Sequence, residues 1–396
     1  MTQKSYRVAV FVETSRGYGR GLCEGIADFA QCNGNWMFKG GGESWKKDIA
    51  GIAGKVDGVI ARIPDDEMAG ALSRLGVPVV DLYRWREYPR IATVDADHGA
   101  IGRMAAAWFI ECRFRHFAFC GYHSAPFSNL RGAAFKETAE QAGFTCSVYE
   151  ATRFKPDFLG KLILQAEAYG EPPDSRRLAR WLKTLPVPTA ILCCHDIRAY
   201  QVIAVCKELG LDVPRDVAVM GVDNDRILCG FAYPMLTSVD PDAHQIGWTG
   251  AAMLHERLTR TGRAVRRALI APSRIVERAS TATAPVEPQW LADALRFIRK
   301  EIPAGVNAEE VIRHVGRSHT LVERAFVKAL GNTVHQEIAR LRLREACRLL
   351  QETDHPASEV ARLAGFSSPQ YFNRLFCGEF GLPLDALGII LAAGTA

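Results

Sequence analysis

No apolar run in this sequence approaches the ~18 residues a membrane-spanning helix needs, so no helical anchor is expected. The opening stretch Met1 to Tyr6 is polar and short, without the pattern of a signal peptide, and the expected compartment is the cytoplasm. The eleven cysteines are scattered, with Cys193 and Cys194 adjacent but no Cys-x-x-Cys pair. A metal site or a disulfide framework is therefore not expected, and reduced structural thiols are. A strong charge of one sign is also missing. The net charge is +5, and from 289 to 396 there are 13 Lys and Arg against 12 Asp and Glu, a net of +1. If the chain binds a polyanion, placement of charge has to do what bulk charge does not. No cofactor loop is present either: Gly17-Tyr18-Gly19-Arg20-Gly21 has Leu22 next, out of step with the G-x-G-x-x-G spacing of a dinucleotide fingerprint. His98, His123 and His195 have no partner at a spacing that marks a catalytic residue.

A chain of 396 residues with 48% hydrophobic and 23% charged residues is an ordinary globular composition and long enough for two or more domains. Short apolar runs at 8–12, 58–60, 77–80, 117–120, 190–193 and 217–220 alternate with helical stretches at 19–30, 99–112, 132–142 and 198–209. That rhythm predicts parallel sheets covered on both faces, in two α/β subdomains with a cleft between them. Ligands of such sheets bind beyond the carboxyl ends of the strands. Those ends carry Asp95, Asp196, Asp223 and Asn224, with Arg131 expected to open the helix after the 117–120 strand and Arg20 at the start of the first helix. Carboxylates accept from hydroxyls, an amide both donates and accepts, and arginine donates in a fixed fork, so a polyol is the ligand this set would saturate. The alternative for each Asp is that it caps a helix. An aromatic such as Phe127 or Trp85 would cover the apolar face of a sugar.

The segment 280–288, Ser-Thr-Ala-Thr-Ala-Pro-Val-Glu-Pro, lacks periodicity and reads as a linker. Beyond it the pattern changes to helices only. Val360, Ala361 and Ala364 lie on a short helix that breaks at Gly365, and a second helix follows that buries Phe372 and Phe376. Ser368, Gln370, Tyr371, Asn373 and Arg374 belong to that second helix, where exposed Gln, Asn and Arg are side chains that read base edges and hold phosphates; packing is the alternative role for Tyr371. A second copy lies upstream. Asn307 to Glu310 forms a capping box, Gly316 makes the turn, Ser318 caps the next helix, and Val322 and Phe326 are buried. His319, Thr320, Leu321, Glu323, Arg324 and Lys328 face outward, with Glu323 expected to orient a neighbouring Arg. Ala339, Leu343, Ala346 and Leu350 put one apolar stripe on the helix joining the copies.

Two helix-turn-helix units joined by a helix reading Arg342-Leu343-x-x-Ala346-x-x-Leu349-Leu350 resemble the AraC-type DNA-binding domain over about 290–388. Arg317, Ala325 and Cys377 depart from that family's usual residues, and Gly381-Leu382-Pro383-Leu384 shifts its usual proline by one. The preceding region resembles the sensor core of LacI/GalR regulators, through Gly221-Val222-Asp223-Asn224, Leu236-Thr237-Ser238-Val239 and Ile275 to Ser280. The combined resemblance implies an α/β two-subdomain periplasmic-binding-protein-like sensor at 1–280, a linker at 281–289 and an all-α domain with two helix-turn-helix units at 290–396. Within the sensor it implies subdomains at about 7–97 plus 237–262 and about 98–236 plus 263–279. It also places Asp95, Arg131, Asp196 and Asp223 where that family holds its sugar.

A sensor of this kind before an AraC-type reader is an uncommon order, similar to the regulators of xylose operons over essentially the whole chain. The segment Tyr18-x-Arg20, the run Trp181 to Pro186 and Gly221 to Asn224 carry that likeness. It implies a homodimeric activator that responds to D-xylose or a related monosaccharide, binds double-stranded operator DNA and meets RNA polymerase, with no cofactor and no membrane. The reading from a different class is a sugar-processing α/β enzyme with a helical accessory domain. A third is a sugar-binding module whose terminal domain binds protein.

Overall fold

The computed structural model describes residues 5–33, 36–40, 45–123, 125–149, 174–259, 266–282, 288–352 and 355–380. Most of the expected linker and the 381–384 tail lie outside the described residues. The chain divides into two compact units, residues 1–282 and 283–396.

The first unit is built on two six-stranded sheets. One runs in the order β2 (Trp36–Gly40), β1 (Tyr6–Phe11), β3 (Gly58–Ala61), β4 (Val79–Asp81), β5 (Ala92–Ala96) and β11 (Arg267–Ile270), with every pairing parallel. The other runs β7 (Thr145–Val148), β6 (His116–Cys120), β8 (Thr189–Cys193), β9 (Val217–Val222), β10 (Thr237–Asp240) and β12 (Arg274–Val276), parallel except for the β10–β12 pair. Strands β3, β5, β8 and β9 are buried along their whole length. Helices on both faces demand that, and unbroken runs such as Val217 to Val222 are its sequence form.

In each sheet the strand order reverses once, between β1 and β3 and between β6 and β8. At such a point the connections leave to opposite faces and a crevice opens beyond the carboxyl ends. The polypeptide passes between the sheets after β5, between β10 and β11, and between β11 and β12. Two expected boundaries therefore shift. Residues 237–240 pair with β9 and belong to the second sheet, whereas 267–270 pair with β5 and belong to the first.

Helix α1 (Gly17–Asn33) lies against α9 (Ala243–Thr259), which returns to the first sheet. The approach is so close that a Cβ on Gly25 would overlap the carbonyl of His244, and one on Gly247 the carbonyl of Leu22. In the second subdomain α4 (His98–Glu111) packs on α5 (Pro126–Gln141), and a Cβ on Gly102 would strike the Arg131 carbonyl. Under them Phe109, Phe114, Phe117 and Phe135 are fully buried, and Phe109 meets Phe114 edge to face at 5.4 Å. Each such ring contributes about 1.5–3 kcal/mol by leaving water. A buried polar cluster ties α6 (Ser175–Leu182) and its cap to α7 (Asp196–Glu208). Arg198 forks onto Asp174 at 3.0 and 2.8 Å, and the Tyr149 hydroxyl donates to the same carboxylate at 2.9 Å.

The second unit is helical: α10 (Gln289–Glu301), α11 (Ala308–Val315), α12 (His319–Leu330), α13 (Val334–Glu352), α14 (Ala357–Leu363) and α15 (Pro369–Phe380). The capping box at Asn307 is complete, with both reciprocal bonds made, at 3.0 and 2.9 Å. Ser318 occupies the cap position of α12, but its hydroxyl makes no capping bond, contrary to expectation. Instead Ser368 accepts from the amide of Tyr371 at 3.2 Å near the start of α15. Gly316 and Gly365 both turn through positive φ, at 65° and 76°.

The single stripe expected on α13 is two stripes. Val334, Ile338 and Leu341 enter a core with Leu295, Val322 and Phe326, while Leu343, Ala346 and Leu349 enter another with Val360, Phe372 and Phe376. At 100° per residue Leu343 points about 180° away from Val334. One helix thus serves two cores on different faces, which leaves Ala339 only half-buried.

Candidate functional site

The residues expected to bind ligand do gather at the carboxyl ends of both sheets, but they are not equivalent. Asp95, at the end of β5, is buried and accepts from Arg84 Nε at 3.2 Å and from His98 Nε2 at 3.1 Å. His98 Nδ1 in turn accepts from Arg131 Nε at 3.3 Å. Its burial holds the imidazole below its usual pKa, so it is neutral with the proton on Nε2. Arg131 also donates to the Cys194 carbonyl, lies over the Phe127 ring and comes within 3.8 Å of Asp223. The result is a polar chain, Arg84–Asp95–His98–Arg131–Asp223, that begins in the first subdomain and ends in the second. The sequence does not signal His98 as part of the site, because its two partners lie in opposite directions along the chain and one is 33 residues away.

Three expected ligand groups are instead committed inside the protein. Asp196 is buried, and its oxygens accept from the Asp225 amide at 2.8 Å, the Ser238 hydroxyl at 2.6 Å and the Cys229 thiol at 3.4 Å. Burial first, and then the charge of Asp223, push its carboxyl well above the ordinary range. Asn224 donates to Asp240 at 3.1 Å and accepts from Arg278 at 2.7 Å, so both ends of its amide are used. Arg20 sits in the first turn of α1 rather than at its first residue, and donates to the carbonyls of Thr14 and Ser15 at 3.0 and 2.7 Å. It stands 3.9 Å from Asp225, which also accepts from the Gly17 amide at 2.8 Å. Arg20 is thus part of a latch between the subdomains. Arg131 does not open its helix either: α5 starts at Pro126, and Arg131 lies in its second turn. Proline at the first helical position needs no donor there.

Helix capping falls to the neighbours of the expected aspartates. Asp97 caps α4, His195 caps α7, and Asp225 caps α8 (Arg226–Phe231). Asp95 and Asp223 are therefore free of that duty. Asp223 and Asn224 hold left-handed backbone, with φ of 109° and 48°. Strained backbone of this kind persists only where the surroundings over-determine it. Here the Asp223 amide donates to the Val239 carbonyl at 3.0 Å and the Asn224 amide to the Ser238 hydroxyl at 2.9 Å. Burial raises the Asp223 carboxyl to about 6, against the opposing pull of Arg131, Arg62 and Arg16.

Each reversal point presents further groups. After β3, Arg62 lies between the rings of Tyr18 and Tyr83, 5.2 and 4.7 Å from their centres. After β8, His195 stacks on Phe127 with ring centres 6.1 Å apart. Trp85 stacks on Tyr83 at 6.2 Å. The phenol of Tyr18 is pushed up by burial and by Asp95, and responds to Arg62, Asp223 and Arg131 as well, so these groups share one electrostatic environment. Arg62 and His195 were not singled out as ligand groups because the reversal points are a property of strand order.

In the second unit, His319, Thr320, Arg324 and Lys328 on α12 and Gln370, Asn373 and Arg374 on α15 are all exposed, as is Ser318; Ser368 is half-buried. Leu321 and Val327 are exposed apolar groups on α12. Glu323 departs from expectation. It is half-buried and accepts from the Val334 amide at 3.3 Å, closing the start of α13 rather than orienting an arginine. Tyr371 is half-buried, edge-on to Phe366 at 6.1 Å, with Arg374 5.4 Å above its ring. The two helix-turn-helix units thus each present one helix with polar and basic side chains outward.

Comparison with known proteins agrees with this division. A periplasmic binding protein-like domain model matches residues 106–281, and a helix-turn-helix domain model matches 311–387. The chain is 28% identical to the xylose operon regulatory protein of Escherichia coli (strain K12) over 384 residues, 95% of each protein. Its identity to the protein of that name from Haemophilus influenzae is 26%, over 96% of this chain and 97% of the other. A solved structure described as the xylose-binding transcription activator xylR superposes with a TM-score of 0.62 at 26% identity, over 97% of both chains. The chain is a DNA-binding transcription regulator in which a periplasmic-binding-protein-like sensor precedes an AraC-type helix-turn-helix domain. Within that class it belongs with the XylR-like regulators, and these relatives are regulators rather than enzymes. No helix among the described residues is long and apolar enough to cross a membrane.

Proposed function

We propose that this regulator acts in the cytoplasm as a homodimer that binds double-stranded operator DNA and activates transcription through RNA polymerase when a monosaccharide occupies its sensor. The observation that carries this reading is the continuous polar chain from Arg84 through Asp95, His98 and Arg131 to Asp223, strung across two sets of strand ends. Hydroxyls of a bound sugar can enter that chain at Asp95, Arg131 and Asp223, with Phe127 or Trp85 against the sugar's apolar face. A ligand that touches both subdomains biases their relative arrangement only by its difference in affinity for the two states. The names of the relatives make D-xylose and related pentoses the first sugars to try.

On DNA, α12 and α15 would enter successive major grooves, about one turn or 34 Å apart. His319, Thr320, Arg324, Gln370, Asn373 and Arg374 would reach bases or phosphates, with Ser318, Lys328 and Ser368 at the margins. Tyr371 would position Arg374, and Glu323 would support the fold of the first unit. The test is a gel-shift series on the DNA upstream of the protein's own operon, with and without pentoses and hexoses, alongside calorimetric titration of the same sugars. A sequence-specific shift altered by one of the sugars is expected. A protein that binds none of them, or that shifts random duplex equally well, does not fit the reading.

A further inference from the structure

We infer that the effector carries a negative charge as well as hydroxyls: a monosaccharide bearing a carboxylate or phosphate, bound through Arg62 and His195. This rests on the sensor reading above and narrows it. Among the described residues, two side-chain nitrogens at the two reversal points are buried without a hydrogen-bond partner, Arg62 Nε and His195 Nε2. His195 is 6% exposed. Its Nδ1 accepts from the Arg198 amide at 3.0 Å, and burial lowers its pKa to about 3, so Nε2 carries the proton. Arg62 Nε also carries one. Both orphans are donors. A buried donor without an acceptor is costly, and an occupant that supplies acceptors removes that cost.

The charges at the strand ends say which kind of acceptor fits. Arg84 is matched by Asp95, and Arg20 by Asp225. Arg131 and Arg62 both act on Asp223, one carboxylate for two guanidinium groups. The nearby Asp81 adds little compensation. It is fully buried, takes three backbone amides at 3.0 Å, and burial raises its carboxyl to about 7. Asp196 is likewise pushed towards its neutral form. The Arg62 guanidinium lies over the faces of two tyrosines, which hold it in place but supply no counter-charge. A guanidinium with an unused donor and a shared counter-charge is the arrangement that takes an anionic oxygen pair, for which its fork is shaped. Because Arg62 belongs to the first subdomain and His195 to the second, one anionic group reaching both would draw the two together.

The experiment is calorimetric titration of the full chain with matched pairs: D-xylose and D-xylonate, D-glucose and D-glucuronate, D-galactose and D-galacturonate, D-ribose and D-ribose 5-phosphate. At least one acidic member should bind about tenfold or more tightly than its neutral partner, and whether it is a carboxylate or the phosphate identifies the group. In Arg62→Gln the acidic member should lose at least about tenfold more affinity than its neutral partner, and Arg62→Lys should keep part of the preference. Thermal melting of both variants separates loss of fold from loss of binding. If neutral sugars bind as well as their acids, or if Arg62→Gln weakens both equally, the charge inference is wrong and the sugar-sensing reading stands. If neither member of any pair binds, both are wrong.

Discussion

His98 Nε2 lies 3.1 Å from the carboxylate of Asp95, with both side chains nearly sealed from solvent and the passage from the first subdomain to the second running between them. The penultimate residue of β5 and the first residue of α4 are therefore bonded to each other. Replacing either should be felt in stability and in effector binding together. His98→Ala leaves Asp95 and Arg131 each one partner short and should cost about 1–3 kcal/mol. In a double-mutant cycle with Asp95→Asn, measured by urea unfolding, a coupling of at least ~0.5 kcal/mol is expected. Simple additivity of the two would show that the pair does not act as a unit.

His195 gives a pH dependence of known sign. Its folded pKa of about 3 lies below the ordinary value of 6.5, so the unfolded chain binds more protons between those limits. Stability contributed by the neutral ring is present above pH 6.5 and is lost as pH falls towards 3, by at most ~1.4 kcal/mol per pH unit. His195→Asn keeps a side chain able to cap α7 but does not titrate. The difference between the two proteins' unfolding free energies should therefore grow in the variant's favour as pH is lowered from 6.5 to 4.5. A difference that is flat with pH would contradict this.

Arg198 and Asp174 form a buried, forked pair, so removing one partner strands the other. Asp174→Ala should destabilise the sensor by about 3–5 kcal/mol. Arg198→Met combined with Asp174→Ala should cost less than the two single changes added. Denaturant midpoints for the three variants decide the matter, and a double variant at or beyond the sum of the singles would count against the account.

The two turn glycines of the second unit predict unequal outcomes. Gly316 has open space where a Cβ would go, and its φ of 65° is the main obstacle, so Gly316→Ala should cost on the order of 1–2 kcal/mol. At Gly365 the added methyl would also overlap the Ile302 carbonyl. Gly365→Ala should therefore be several-fold more destabilising and abolish operator binding, as read by thermal melting and gel shift. Equal effects at the two positions would show that the Ile302 contact is unimportant.

Arg374→Ala should weaken operator binding by about 1–3 kcal/mol if the guanidinium pairs with guanine. Glu323→Gln should act through melting temperature and leave the sequence preference alone, because its carboxylate closes α13. A gel-shift panel of single base changes separates the two effects.

The local periodicities were enough to decide the class of fold. A strand such as Val217 to Val222 can be apolar throughout only if both faces are covered, and Gly365 between two short amphipathic helices leaves few alternatives to a tight helical turn. The Asn307 capping box and the buried pairs Val322/Phe326 and Phe372/Phe376 are equally local, and they stand where the spacing put them. What local pattern could not decide was which polar group at a strand end is spent inside the protein. Asp196, Asn224 and Arg20 read just like Asp95 and Asp223, yet their partners Ser238, Arg278 and Asp225 come from distant strands and loops. The same limit hid His98, Arg62 and His195, and it hid the change of face along α13. A hydrogen bond depends on a separation of about 3 Å, and only the folding of two sheets against each other sets that separation for residues scores of positions apart.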